Sequence, residues 1–167
     1  MTRSWQKIRT AAYAGLKNVS ENVVLRLRNG TEPFATRGAV TIVPAVLDLL
    51  RSIAPVRAVR GNNDGRDVAA WGAPETMQLD LAGLAVAMLH DSGQAVGRCA
   101  RLRRRFPAAQ LVVFGHSHVP LDQAADGIRI FNPGSPTDRR RQPHGTFGFL
   151  HIDDGRLIEA QIIPVDN

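Results

Sequence analysis

The stretch VVFGHSHVPL, residues 112 to 121, restricts the fold more than any other in this chain. Leu111, Val112, Val113 and Phe114 are consecutive apolar residues, which a strand with one face in water does not tolerate, so they predict a strand inside a sheet covered on both faces. Such a strand delivers whatever follows it to the carboxyl edge of the sheet. Gly115 permits a sharp turn there, and in an extended loop His116 and His118 would point to the same side because side chains alternate. Two imidazoles converging at a strand end are candidate metal ligands; ordinary loop histidines are the plainer alternative.

Size limits what can surround that strand. A chain of 167 residues with 44% hydrophobic content fills one sizeable core and is short for two. One domain over residues 1–167 is expected, with residues 1–37 its atypical part. The single cysteine, Cys99, excludes a disulfide framework, suits a reducing cytoplasm and is expected to pack as a small apolar residue. No apolar run approaches the roughly 18 residues of a membrane span, and no secretory apolar segment opens the chain. A soluble, cytoplasmic protein with no membrane contact is the expectation.

The net charge of +6 invites a nucleic-acid reading until its distribution is examined. Residues 1–37 hold seven Arg or Lys against two Glu, whereas residues 38–167 hold 14 against 13. The run RLRRRF, 101 to 106, lies on a segment where Val96, Cys99, Leu102 and Phe106 recur at helical spacing, which turns the arginines to solvent. No aromatics interleave with them as a stacking platform for single strands requires. Nucleic acid is therefore not expected as a partner.

Organisation changes near residue 38. PAVLDLLRSI, 44 to 53, begins with proline at a first helical position and reads as a helix. A short strand, Val56 to Val59, runs into the turn-forming GNND. TMQLDLAGLAVAMLHDSG reads as two strands joined at Ala82 and Gly83, and the arginine-rich helix and the opening strand follow. IRIFNPGSP and TFGFLHIDDGRLIEAQIIP read as a closing meander with a tight turn at Asp154 and Gly155.

Three of these strand ends share one chemistry. Asn62 follows one strand, His90 a second, and His116 and His118 a third. Amide oxygen and imidazole ligands on loops held by a rigid sheet suit a divalent transition metal such as Mn, Ni, Fe or Zn. Singly, His90 reads as a packed histidine and GNND as a turn; their joint order is the specific signal.

Through RGNND, LHDSG, FGHSHVP and NPGSPTD the chain resembles the calcineurin-like metallophosphoesterase superfamily, and within it the small single-domain phosphodiesterase branch, which also contains a retromer subunit that uses the fold as a protein-binding scaffold. The resemblance covers residues 44–167. It implies an α/β fold of two mixed β-sheets packed as a sandwich flanked by helices, with a two-metal site at the carboxyl ends of the strands. It assigns Asn62, His90 and His116 to one ion and His118 to the other, with a small phosphate ester as substrate. The position after the ligand asparagine is commonly histidine in larger relatives and is Asn63 here, an amide that donates a hydrogen bond but cannot deliver a proton. The NPGS loop, Asn132 to Ser135, recurs beside the site in the family; a turn with a left-handed glycine explains it equally well.

The amino-terminal quarter departs from that pattern. The family's D-x-H and G-D motifs should precede residue 44, yet no Asp comes before Asp48 and no His before His90; at the second motif Gly38 is followed by Ala39. Trp5, Ile8, Ala12, Leu16 and Val19 recur instead at helix-like spacing. A stretch read in a shifted frame and true divergence both account for the change. One amide and three imidazoles bring no formal negative charge to two adjacent divalent ions, whose repulsion is worth kcal/mol even in a wet protein. The expectation is a phosphoesterase that has lost its dinuclear centre and holds one ion or none, Asp64 and Asp91 being the carboxylates near enough in sequence to substitute. The alternative is an inactive fold used as a protein-binding scaffold.

Overall fold

The computed structural model describes residues 23–26, 34–37, 44–53, 55–62 and 64–165. In chain order their elements are β1 (Val23–Arg26), β2 (Phe34–Arg37), α1 (Pro44–Ile53), β3 (Val56–Val59), α2 (Arg66–Ala70), β4 (Thr76–Leu81), β5 (Leu84–Leu89), α3 (Arg98–Arg105), β6 (Leu111–Val113), β7 (Leu121–Ala125), β8 (Ile128–Asn132), β9 (Gly145–Asp153) and β10 (Arg156–Val165). They build two five-stranded sheets, in the orders β10-β9-β2-β1-β3 and β4-β5-β6-β8-β7. The first sheet pairs antiparallel throughout; in the second, β6 lies parallel to both β5 and β8.

Local chemistry sets the hairpins. Ala82-Gly83, Asp126-Gly127 and Asp154-Gly155 hold positive φ at both positions, the backbone twist that joins antiparallel strands without splaying them. Between the sheets, side chains meet by strict alternation. Val86 and Met88 of β5, Leu111 and Val113 of β6 and Phe131 of β8 face Val59, Leu150 and Ile152 of the first sheet. The intervening Ala87, Leu89, Val112 and Ile130 face the opposite way, onto Cys99, Leu102 and Phe106 of α3 and its carboxyl end. β5 and β6 are thus buried on both faces, as their unbroken apolar runs require.

α3 ends in Arg103, Arg104 and Arg105, where cations favour the helix dipole, and all three are exposed. Val96 does not share the buried stripe: Gly97, at φ 66, precedes the first helical residue and leaves Val96 87% exposed. The closing meander also needs correction. β8 belongs to the second sheet and β9 to the first, so the segment after NPGSP crosses between sheets and only β9 and β10 form a hairpin. β1 and β2, each four residues long, occupy the middle of the first sheet, between β9 and β3. The helix-like spacing read over residues 5–19 lies outside the described residues.

Burial of Cys99 between α3 and the second sheet, aided by the nearby Asp126 carboxylate, pushes its thiol up. A thiol reagent at mildly alkaline pH is expected to label the folded chain roughly 100-fold more slowly than the chain in urea, because the thiolate is the reacting form and opening must precede it. Equal labelling rates in a time course would show that the packing of α3 on the second sheet does not protect the thiol.

Candidate metal centre

Parallel pairing of β5 with β6 makes their chains leave the sheet side by side, and the Gly115 N–H donates to the His90 carbonyl at 2.9 Å just beyond the last paired residues. β8, parallel to β6, ends at the same rim with Asn132. β3 reaches it from the other sheet and turns at Gly61, whose N–H donates to the Asp64 carboxylate at 2.6 Å. Four loops from two sheets therefore meet at one edge.

There, His90 Nε2 lies 2.7 Å from Asn62 Oδ1 and 3.0 Å from His116 Nδ1, with the two imidazole rings nearly perpendicular. An amide oxygen only accepts, so the hydrogen bond to Asn62 Oδ1 is donated by His90 Nε2. Two ligands at right angles, each about 2.1 Å from one ion, stand about 3.0 Å apart. The two separations from His90 Nε2, to Asn62 Oδ1 and to His116 Nδ1, lie near that value, and amide oxygen with imidazole nitrogen is a donor set that a divalent transition ion accepts. His90 is buried, whereas the His116 side chain is 38% exposed and Asn62 is open to solvent, so the cluster has a protein side and a water side.

The extended loop anticipated for GHSH is not what forms. His116 and His118 both adopt left-handed backbone, φ 64 and 58, so their rings do not simply share one side. His116 turns to His90, while His118, 3% exposed, turns Nδ1 to the Asp138 carbonyl oxygen at 2.7 Å and to its carboxylate at 3.3 Å. Left-handed backbone costs a non-glycine residue roughly 1–2 kcal/mol, and such strain collects where function demands it.

Asn132 holds the strained loop. Fully buried at the end of β8, its Nδ2 donates to the Gly115 carbonyl at 3.0 Å and to Ser117 Oγ at 3.1 Å, while its Oδ1 accepts from the Gly134 N–H at 2.9 Å. Gly134, at φ 77, leaves no room for a Cβ, which would strike Thr146 Oγ1 and come within 3.0 Å of Pro120 Cγ. The NPGS loop thus serves both readings: it is a left-handed glycine turn, and its first residue fixes the histidine loop.

The carboxylates near the cluster stay at its margin. Asp64 is engaged by the turn at Gly61. Asp91 accepts from the Gly93 N–H at 2.7 Å and stands 3.9 Å from His116 Nε2, the ring nitrogen opposite the one facing His90. Arg101 pins the loop after Asp91 through the carbonyls of Ser92 at 2.9 Å, Gln94 at 2.5 Å and Val96 at 3.2 Å. Among the described residues, no three His, Cys, Asp or Glu side chains gather into a metal-holding group. Asn63, expected beside the leaving group, lies outside the described residues.

A family model for the calcineurin-like phosphoesterase superfamily domain matches residues 20–155, spanning β1 through the β9–β10 turn. The chain belongs to that superfamily. Among curated relatives, a probable metallophosphoesterase of Methanocaldococcus jannaschii is 30% identical over 126 residues, covering 72% of this chain and 60% of that protein. A second, from Methanothermobacter thermautotrophicus, is 29% identical over 124 residues, covering 72% and 69%. This phosphoesterase-family chain thus spans less than two thirds of the first relative's length. Of solved structures, a Thermotoga maritima protein matches with TM-score 0.59 at 27% identity, covering 77% of this chain and 78% of that one. Zinc-complexed Vps29 of Entamoeba histolytica matches with TM-score 0.58 at 22% identity, covering 75% and 77%, a likeness of fold.

The superfamily fold brings Asn62, His90 and His116 together and ties His118 to Asp138. Sequence reasoning missed Asp138 as the anchor of His118 and undervalued Asn132. A signal existed for the second: a polar residue closing the apolar run IRIF is buried only when its amide is fully paired.

Proposed function

We propose that this chain is a metal-dependent phosphoesterase of small phosphate diesters or monoesters, with Asn62, His90 and His116 holding one divalent transition ion, Mn, Ni, Fe or Zn. The supporting observation is the approach of Asn62 Oδ1 and His116 Nδ1 to His90 Nε2, at 2.7 and 3.0 Å. When bound, such an ion supplies Lewis-acid polarisation of the phosphoryl group and lowers the pKa of water toward neutrality. His90 must then carry its proton on Nδ1 rather than Nε2, and Asn62 must present its oxygen rather than its amide nitrogen. His118 is the remaining candidate for a second ion, but no aspartate precedes Asp48 to bridge a pair, so a single ion is the reading adopted. Asn63 is proposed as a hydrogen-bond donor to the leaving group; lacking a transferable proton, it favours esters whose leaving group departs readily.

The purified chain with Mn, Ni, Fe or Zn is expected to hydrolyse bis-p-nitrophenyl phosphate faster than p-nitrophenyl phosphate, measured as nitrophenolate release. No turnover with any of these ions, from a chain whose circular dichroism shows it folded, would contradict the enzyme reading. It would favour the alternative of a protein-binding scaffold. Cytoplasmic location belongs to the same proposal; among the described residues no helix is long and apolar enough to cross a membrane.

A further inference from the structure

Six described non-glycine residues have positive φ. Ala82, Asp126 and Asp154 each precede a positive-φ glycine in a hairpin turn, which is ordinary. The other three, His116, His118 and Arg140, sit on two loops that meet where His118 Nδ1 faces the carbonyl and the carboxylate of Asp138. The second of these loops carries Arg139, Arg140 and Arg141, all exposed, in a part of the chain where acids and bases otherwise nearly balance. It is well braced. The Asp138 N–H donates to Ser135 Oγ at 3.1 Å, the Arg140 N–H to Asp138 Oδ1 at 3.1 Å, and the Gln142 N–H to the Arg139 carbonyl at 2.8 Å. Arg139 returns its guanidinium to the carbonyls of Gln142 and Pro143 at 3.0 and 3.2 Å, and Arg140 lies 3.8 Å from the Asp138 carboxylate. Arg141 is exposed and has no such engagement with a described residue.

A braced loop that offers planar guanidinium donors to solvent, coupled by a buried histidine to the metal-centre loop, is built to receive phosphoryl oxygens. Resting on the phosphoesterase reading above, we propose that Arg140 and Arg141 form a second anion-binding element beside the metal centre, and that the substrates are small esters with more than one phosphoryl group, such as nucleoside diphosphates. The phosphoryl group to be cleaved would take the Asn62, His90 and His116 side, and the arginines would take the next one.

The test is calorimetric titration of the full chain, freed of metal with EDTA, with inorganic tripolyphosphate and orthophosphate. Tripolyphosphate is expected to bind at least about tenfold more tightly than orthophosphate, and Arg141→Ala to weaken tripolyphosphate about tenfold, the scale of a lost charge-assisted contact. Arg103→Ala removes the same charge from the exposed end of α3 and is expected to change the affinity less than twofold. Undetectable tripolyphosphate binding, or an equal loss in Arg103→Ala, would overturn the proposal. So would a single-stranded oligonucleotide that binds more tightly than tripolyphosphate through Arg141, since that would make the element a nucleic-acid contact. Because the titration contains no metal, its failure is distinguishable from failure of the phosphoesterase reading, which shows as absent hydrolysis.

Discussion

His116→Ala is expected to lower metal-stimulated hydrolysis of bis-p-nitrophenyl phosphate at least 100-fold, about 3 kcal/mol of lost transition-state stabilisation, while leaving the chain folded. The substitution removes one of three donors and keeps the rest of the rim. His90 retains Asn62 Oδ1 as acceptor at 2.7 Å, and the partly exposed His116 ring contributes little to the core. His116→Gly sharpens the test. At φ 64 glycine escapes a strain of roughly 1–2 kcal/mol that alanine keeps, against which stands its greater unfolded-state entropy, about 0.4–1 kcal/mol; the lost His90 contact is common to both variants. His116→Gly should thus be as inactive as His116→Ala yet melt a few degrees higher, since about 1 kcal/mol shifts a domain of this size by about 2–4 °C. A glycine variant that melts well below the alanine variant would mean that the strain at this residue is not what opposes stability.

The largest loss of stability is expected from Asn132→Ala. Its side chain is fully buried and satisfies three groups, the Gly115 carbonyl, the Ser117 hydroxyl and the Gly134 N–H. The substitution leaves the buried Gly134 N–H without its acceptor, at about 1–3 kcal/mol, and removes bonds of about 1 kcal/mol each to a Gly115 carbonyl that keeps the Ser117 N–H and to a partly exposed Ser117 hydroxyl, so about 2–4 kcal/mol overall is expected in urea titration. Because the lost bonds release the loop that carries His116 and His118, metal affinity should fall about tenfold or more even in buffer where the variant stays folded. Asn132 acts here as a positioning residue. A variant that loses stability but binds metal as the parent does would confine it to a structural role.

What could be read from the residues depended on how locally each feature is determined. The apolar runs that became β5 and β6, the proline-led α1 and the turns at Ala82-Gly83 and Asp154-Gly155 follow from neighbours in sequence, and the structure has them where periodicity and turn chemistry put them. β1 and β2 are four residues each and carry no comparable pattern; they exist because β9 and β3 offer pairing on either side. The crossing from β8 to β9 was likewise invisible, because adjacent strands in sequence pair locally unless a loop such as NPGSP carries the chain to another sheet. At the rim, the strand ends told which residues arrive together. They could not tell that GHSH coils through two left-handed residues, since that conformation is imposed by Asn132 and Asp138, 14 and 20 residues downstream of His118.

The claim on which the rest stands is that Asn62, His90 and His116 grip one transition ion. Equilibrium dialysis of the metal-free chain against Mn²⁺ or Zn²⁺ tests it most directly. One ion per chain is predicted, lost in His90→Ala and in His116→Ala with secondary structure intact; no bound ion, or one held undiminished by both variants, would contradict it.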